Sequence, residues 1–111
     1  MSRAVETQHA TCVAVGEKGL LILGPSGSGK SALALRLISL GALLVSDDRT
    51  RVEARDGRLW ASCPNPGLSG LIEARGIGVL RAPAQAAVAL DLAVDLGEME
   101  PDRLPPRRSL T

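Results

Sequence analysis

The chain has no phenylalanine and no tyrosine, and Trp60 is its single aromatic residue. Any core must therefore be aliphatic. Proteins that read single-stranded nucleic acid stack its bases on aromatic side chains, and one Trp cannot build such a surface. Charge offers no alternative route to nucleic acid, because 13 basic and 12 acidic residues leave a formal net charge of +1. Nucleic acid is not the expected partner. Cysteine is scarce too: Cys12 and Cys63 show no metal-ligand spacing and no disulfide framework, so inert free thiols are expected. No apolar run approaches the ~18 residues of a membrane span. The N-terminus lacks the basic-then-apolar layout of a signal peptide. A cytoplasmic protein without a membrane partner is the expectation.

What is present suits one folded domain. The 111 residues are 45% hydrophobic and 23% charged, too apolar for a disordered chain. Residues 1–8 are polar and read as a flexible N-terminus, 9–97 as the domain, and 98–111 as a Pro/Arg-rich tail. Thr11–Val15 and Leu20–Leu23 flank a glycine-bounded turn and predict a hairpin of buried strands. From Lys30 to Leu40, Leu33, Leu37 and Leu40 recur at helical spacing, with Gly41 placed to end the helix. Ala42–Val45 reads as a short strand. Asp56-Gly57, between strand-like runs 49–55 and 58–62, predicts a tight hairpin, since both turn positions need positive φ. Residues 63–70 hold two prolines and two glycines and read as loop. Leu71–Ala74 and Ile77–Arg81 read as strands. Residues 88–96 alternate large and small or acidic side chains, which argues for a strand with one wet face, although the alanines also suit a helix.

The chemistry concentrates in Gly24-Pro25-Ser26-Gly27-Ser28-Gly29-Lys30-Ser31, a complete phosphate-loop pattern between a predicted strand and a predicted helix. Glycines allow the tight turn that aims backbone N–H groups inward, and the helix start adds its positive end. Lys30, one of only two lysines, supplies a point charge for β- and γ-phosphates, and Ser31 a hydroxyl for Mg2+. This pattern binds a phosphate chain without naming a reaction. Asp47 and Asp48 end an apolar strand, where phosphate-loop proteins place an acid facing Mg2+ or the nucleophile; the plainer reading is a turn into the next strand. Glu73 and Arg75, at alternate positions of one short strand, point to the same side as candidate metal and phosphate ligands. The plainer reading there is a surface salt bridge. His9, the sole histidine, precedes the first predicted strand.

Taken in order, His9-Ala10-Thr11-Cys12, Gly24–Ser31, Val45-Ser46-Asp47-Asp48 and Leu71-Ile72-Glu73-Ala74-Arg75-Gly76-Ile77-Gly78 resemble HPr kinase/phosphorylase over about residues 8–81. The resemblance is to the short form without an N-terminal domain, as in α-proteobacteria, here C-terminally truncated. It implies an α/β phosphate-loop fold of the phosphoenolpyruvate-carboxykinase-like type, strand-rich with one main helix after the loop, assembling as a hexamer. It implies transfer of phosphate from ATP to a serine of HPr, a small phosphocarrier of the sugar phosphotransferase system. Reverse phosphorolysis with inorganic phosphate, releasing pyrophosphate, is implied as well. In this resemblance Asp48 is the base, Lys30 polarises the phosphates, and Ser31 and Glu73 hold Mg2+. His9 joins the active site, Asp47 supports metal or base, and Arg75 lies in the catalytic segment. A non-catalytic nucleotide-binding regulatory module and a small-substrate phosphate-loop kinase are the competing expectations.

Overall fold

In the computed structural model, residues 5–98 and 108–109 are described. The elements are β1 (Val5–Gln8), β2 (Ala10–Val15), β3 (Lys18–Leu23), α1 (Lys30–Ser39), β4 (Leu43–Ser46), β5 (Thr50–Arg55), β6 (Arg58–Ser62), β7 (Leu71–Ala74), β8 (Gly78–Arg81), β9 (Ala87–Asp95) and β10 (Arg108–Ser109). One mixed sheet runs in the order β1-β5-β6-β9-β3-β2-β4, with β10 also on β9, and β7-β8 form a separate hairpin. This is the strand-rich α/β architecture expected, with one α-helix among the described residues.

Sequence explains most of it. In β2, Ala10, Cys12 and Ala14 enter one apolar cluster and Val13 the other, as the period of two in a strand demands. The first cluster gathers Leu21, Val45, Ala61, Val88 and Leu90, and Val52 of β5 packs on it. The second places α1 on the sheet: Ala34 is fully buried against Val13, Ile22, Leu44 and Ile72, with Leu33, Leu37 and Ile38 at its edge. The helix stops at Ser39, and Gly41 takes φ +111, where an L side chain is strained. Asp56 and Gly57 both have positive φ, which closes the β5–β6 hairpin as predicted. Trp60 is only half-buried; the Arg55 guanidinium lies 4.9 Å from its ring centroid. The core is accordingly aliphatic.

Three expectations need correction. Val5–Gln8, read as flexible, form β1 and pair antiparallel with Thr50–Glu53. Little advertises this strand: Val5 is its one apolar residue and is itself exposed, and the strand pairs along β5 through its backbone. Residues 88–96 do not present one wet face. Val88, Ala89 and Leu90 are all buried, whereas Leu92 is 49% exposed. The reason is a register shift against β3: Gly19 pairs with Leu90 but Leu20 with Leu92, so β9 carries one extra residue there and the side that holds Val88 and Leu90 continues at Ala93. Gly19 permits this contact, since a Cβ there would sit 2.6 Å from the Ala89 carbonyl oxygen. Finally, Arg108 and Ser109 within the presumed tail pair with Ala93 and Leu92; residues 1–4, 99–107 and 110–111 lie outside the described residues. No described helix is long and apolar enough to cross a membrane.

Candidate active site

The loop between β3 and α1 turns through Gly24, Gly27 and Gly29, at φ +146, +83 and +100. Ser28 N donates to Pro25 O at 3.1 Å, which tightens the turn. Gly29 caps α1 in the left-handed region, with no capping side chain and no acid in the first turn. The helix's own first turn therefore supplies no negative charge to its positive end. The Lys30 ammonium, on a residue only 5% exposed, donates to Gly24 O (2.7 Å) and Pro25 O (3.1 Å). Ser28 Oγ is buried in the same loop without a hydrogen-bond partner. An orphaned hydroxyl, an uncapped helix start and a loop-held ammonium together fit a phosphate chain.

Asp47 is the knot of the site. Its Oδ1 accepts from Ser31 Oγ (2.7 Å) and Thr11 Oγ1 (3.1 Å), and its Oδ2 from Glu73 N (3.0 Å). One carboxylate thus joins β2, the start of α1 and β7 to the end of β4. The Ser31 hydrogen points at Asp47, which leaves the hydroxyl oxygen's lone pairs for a cation. Asp48 takes φ +66 in a tight turn where Arg49 N donates to Asp47 O and Ser46 Oγ to Arg49 O. The turn expected at this point is real, and it is what aims the two carboxylates. Asp48 N donates to Thr11 Oγ1 at 3.0 Å, and its Oδ1 lies 2.8 Å from His9 Nε2. An ionised carboxylate only accepts, so the His9 ring nitrogen is the donor.

A cleft of about 500 Å³ brings Lys30, Ser31, Asp47, Asp48, Glu73 and Arg75 together. Ser26, Gly27 and Gly29 line it as well, and His9 joins through Asp48. One placement differs from expectation. Arg75 is not on the strand with Glu73 but in the turn after β7, because β7 ends at Ala74 and Gly76 and Gly78 both take positive φ. Among the described residues no three His, Cys, Asp or Glu side chains form a metal cluster. Ser31 and Glu73 border the cleft as oxygen donors, and Mg2+ is commonly held by one or two carboxylates with water and phosphate oxygens. Thr11 is a site residue to which the sequence assigns no chemical role. Its signal is a lone hydroxyl in an apolar strand, and it is fully buried.

The arrangement defines an α/β domain in which a glycine-rich loop and a strand-end carboxylate pair share one cleft. The sequence profile of the HPr Serine kinase C-terminal domain matches residues 2–100, and the chain belongs to that family. It is 38% identical over 108 residues to the HPr kinase/phosphorylase of Clostridium novyi, covering 90% of this chain and 35% of that protein. Against the HPr kinase/phosphorylase of Streptococcus thermophilus (strain ATCC BAA-491 / LMD-9) it is 45% identical over 73 residues, 65% of this chain and 23% of that protein. The structure of the Hpr(Ser) kinase/phosphatase from Coxiella burnetii superimposes with a TM-score of 0.77 at 30% identity, over 91% of this chain and 64% of that one. The chain spans about a third of the Clostridium novyi relative's length.

Proposed function

We propose that the domain binds MgATP at Gly24–Ser31 and transfers the γ-phosphoryl group to a serine of an HPr-type phosphocarrier. The observation that carries this reading is Asp48: its side chain is 57% exposed, borders the same cleft as Lys30, and is held by His9 through one oxygen. The other oxygen is available to a serine hydroxyl. Names of relatives that pair HPr with kinase activity support the acceptor and the reaction.

In this reading residues 9–97 carry the chemistry. The Lys30 ammonium turns from its loop carbonyls to the phosphates, and the N–H groups of the loop follow their charge. Ser31 and Glu73 hold Mg2+, which supplies charge neutralisation at the phosphates when bound. Asp47 fixes both ligands, through Ser31 Oγ and Glu73 N. Arg75 adds a guanidinium at the cleft edge. Asp48 takes the serine proton as the oxygen attacks phosphorus and the bond to the leaving diphosphate breaks. In reverse, inorganic phosphate attacks phosphoserine, Asp48 returns the proton to the serine oxygen, and pyrophosphate leaves. A cytoplasmic site of action and a hexameric assembly belong to the same proposal.

The test is incubation with γ-labelled ATP, Mg2+ and HPr. Label on an HPr serine, lost in Asp48→Asn while nucleotide binding persists, is the expected result. Nucleotide binding with no labelled acceptor in the unaltered protein sinks the proposal and leaves a binding module.

A further inference from the structure

The end of β9 runs beside the start of the glycine loop. β3 and β9 pair in parallel with Leu23 opposite Asp95, so the residues after each strand leave the sheet together. Behind β9 comes a short 3-10 turn, Leu96–Glu98, which is pinned twice. Leu96 packs into the apolar cluster that seats α1, and Gly97 N donates to Asp95 Oδ1 at 2.9 Å. Gly97 then meets Gly24 back to back. A Cβ built on Gly97 would stand 2.9 Å from Pro25 Cδ and 3.8 Å from Gly24 Cα, and one on Gly24 would stand 3.3 Å from Gly97 N. Gly97 is not among the glycines with positive φ, so space and not backbone freedom requires a glycine there.

We infer that the Asp95–Gly97 turn is the backstop of the phosphate loop, and that Gly97 is a positioning residue for nucleotide binding. The inference rests on the MgATP reading above. Asp95, Leu96 and Gly97 do not line the cleft, so the turn acts on a nucleotide only through the loop. The two residues it touches, Gly24 and Pro25, are also the two whose carbonyls hold the Lys30 ammonium, at 2.7 and 3.1 Å. Pro25 O accepts from Ser28 N as well, so a push on Pro25 reaches the far side of the loop. The atom that would be struck matters. Pro25 Cδ is bonded to the loop's own backbone nitrogen, and the ring cannot swing aside as a flexible side chain can. A methyl group on Gly97 therefore displaces loop backbone. Backbone N–H groups bind phosphate by pointing at it, and a displaced loop loses that aim. The same methyl group takes no room from the core, because Gly97 is exposed. Asp95 sets the turn through one accepting oxygen, a task Asn performs and Ala does not.

Calorimetry of MgATP binding to the full chain, beside steady-state phosphorylation of HPr, tests this. Gly97→Ala raises the Kd and the KM for ATP about 10-fold. It leaves kcat at saturating ATP and KM for HPr within about 2-fold, because Asp48 and Glu73 belong to the end of β4 and to β7 and not to the displaced loop. Asp95→Ala weakens binding in the same direction, and Asp95→Asn restores it. Pro25→Ala removes the struck Cδ, so in that background Gly97→Ala costs less than about 3-fold. Gly57→Ala is the control: it strains a turn outside the cleft lining, and MgATP affinity stays within about 2-fold. Unchanged MgATP affinity in folded Gly97→Ala overturns the inference and leaves the nucleotide reading standing. An equal loss in Gly57→Ala also overturns it, since destabilisation alone then accounts for the effect. Should Gly97→Ala not fold, the Asp95 pair decides: equal affinities in Asp95→Ala and Asp95→Asn overturn the inference. Absence of MgATP binding in the unaltered protein sinks the nucleotide reading and this inference with it.

Discussion

Thr11 shows how much one buried hydroxyl can organise. It donates to Asp47, accepts from Asp48 N, and so sets both acids. Thr11→Val keeps the shape but leaves these partners short of a bond, and costs about 1–3 kcal/mol. A lower denaturant midpoint checks this, and Thr11→Ser restores most of the loss. Asp48→Asn lowers phosphoryl transfer ~10²–10⁴-fold, measured as kcat, because the proton acceptor is gone and the nucleotide contacts are not. For Cys12, whose thiol rises from 9.0 to about 12 by burial, the unfolded chain ionises first as pH rises. Its contribution to stability is level below about pH 9 and falls between about pH 9 and about 12. At pH 8 a thiol reagent should modify one cysteine in the folded protein and two after denaturation; two in the folded state contradicts the burial. At this scale sequence was a good guide where chemistry is local, as in Gly24–Ser31. It did not disclose Thr11, whose role depends on partners 36 and 37 positions away. Nor did it place Arg75, since only the positive φ of Gly76 and Gly78 reveals that the strand has already ended.

Among elements, turns were the legible part. Asp56-Gly57 closes β5 onto β6 as the expected tight hairpin, with Arg55 opposite Arg58, and Gly57 takes φ +78 with open space around a Cβ. Gly57→Ala therefore meets backbone strain alone, and about 1–2 kcal/mol of stability should be lost in thermal or urea unfolding. Helix α1 was readable from its leucines because one face packs and the other does not. β1 was not, because this edge strand offers one exposed valine and otherwise polar side chains. The alternation in β9 does not yield one wet face because the strand carries an extra residue against β3 between Leu90 and Leu92, which exchanges the sides of the side chains that follow.

For the whole molecule, the site and the core are one structure. Asp47 ties β2, α1, β4 and β7 together, so a ligand that stiffens the cleft stabilises the sheet. MgATP at 100 times its Kd should add about 2.7 kcal/mol and raise the melting temperature. An unchanged melting temperature under saturating nucleotide would contradict nucleotide binding here. Sheet order carries a further consequence. β3, which launches the glycine loop, is flanked by β2 and by the parallel β9, and β9 is translated only after every site residue from His9 to Arg75. On the ribosome, the completed cleft residues wait for a distant strand before their platform closes. A nascent chain paused ahead of Ala87 should therefore hold all the reactive groups and grip no nucleotide.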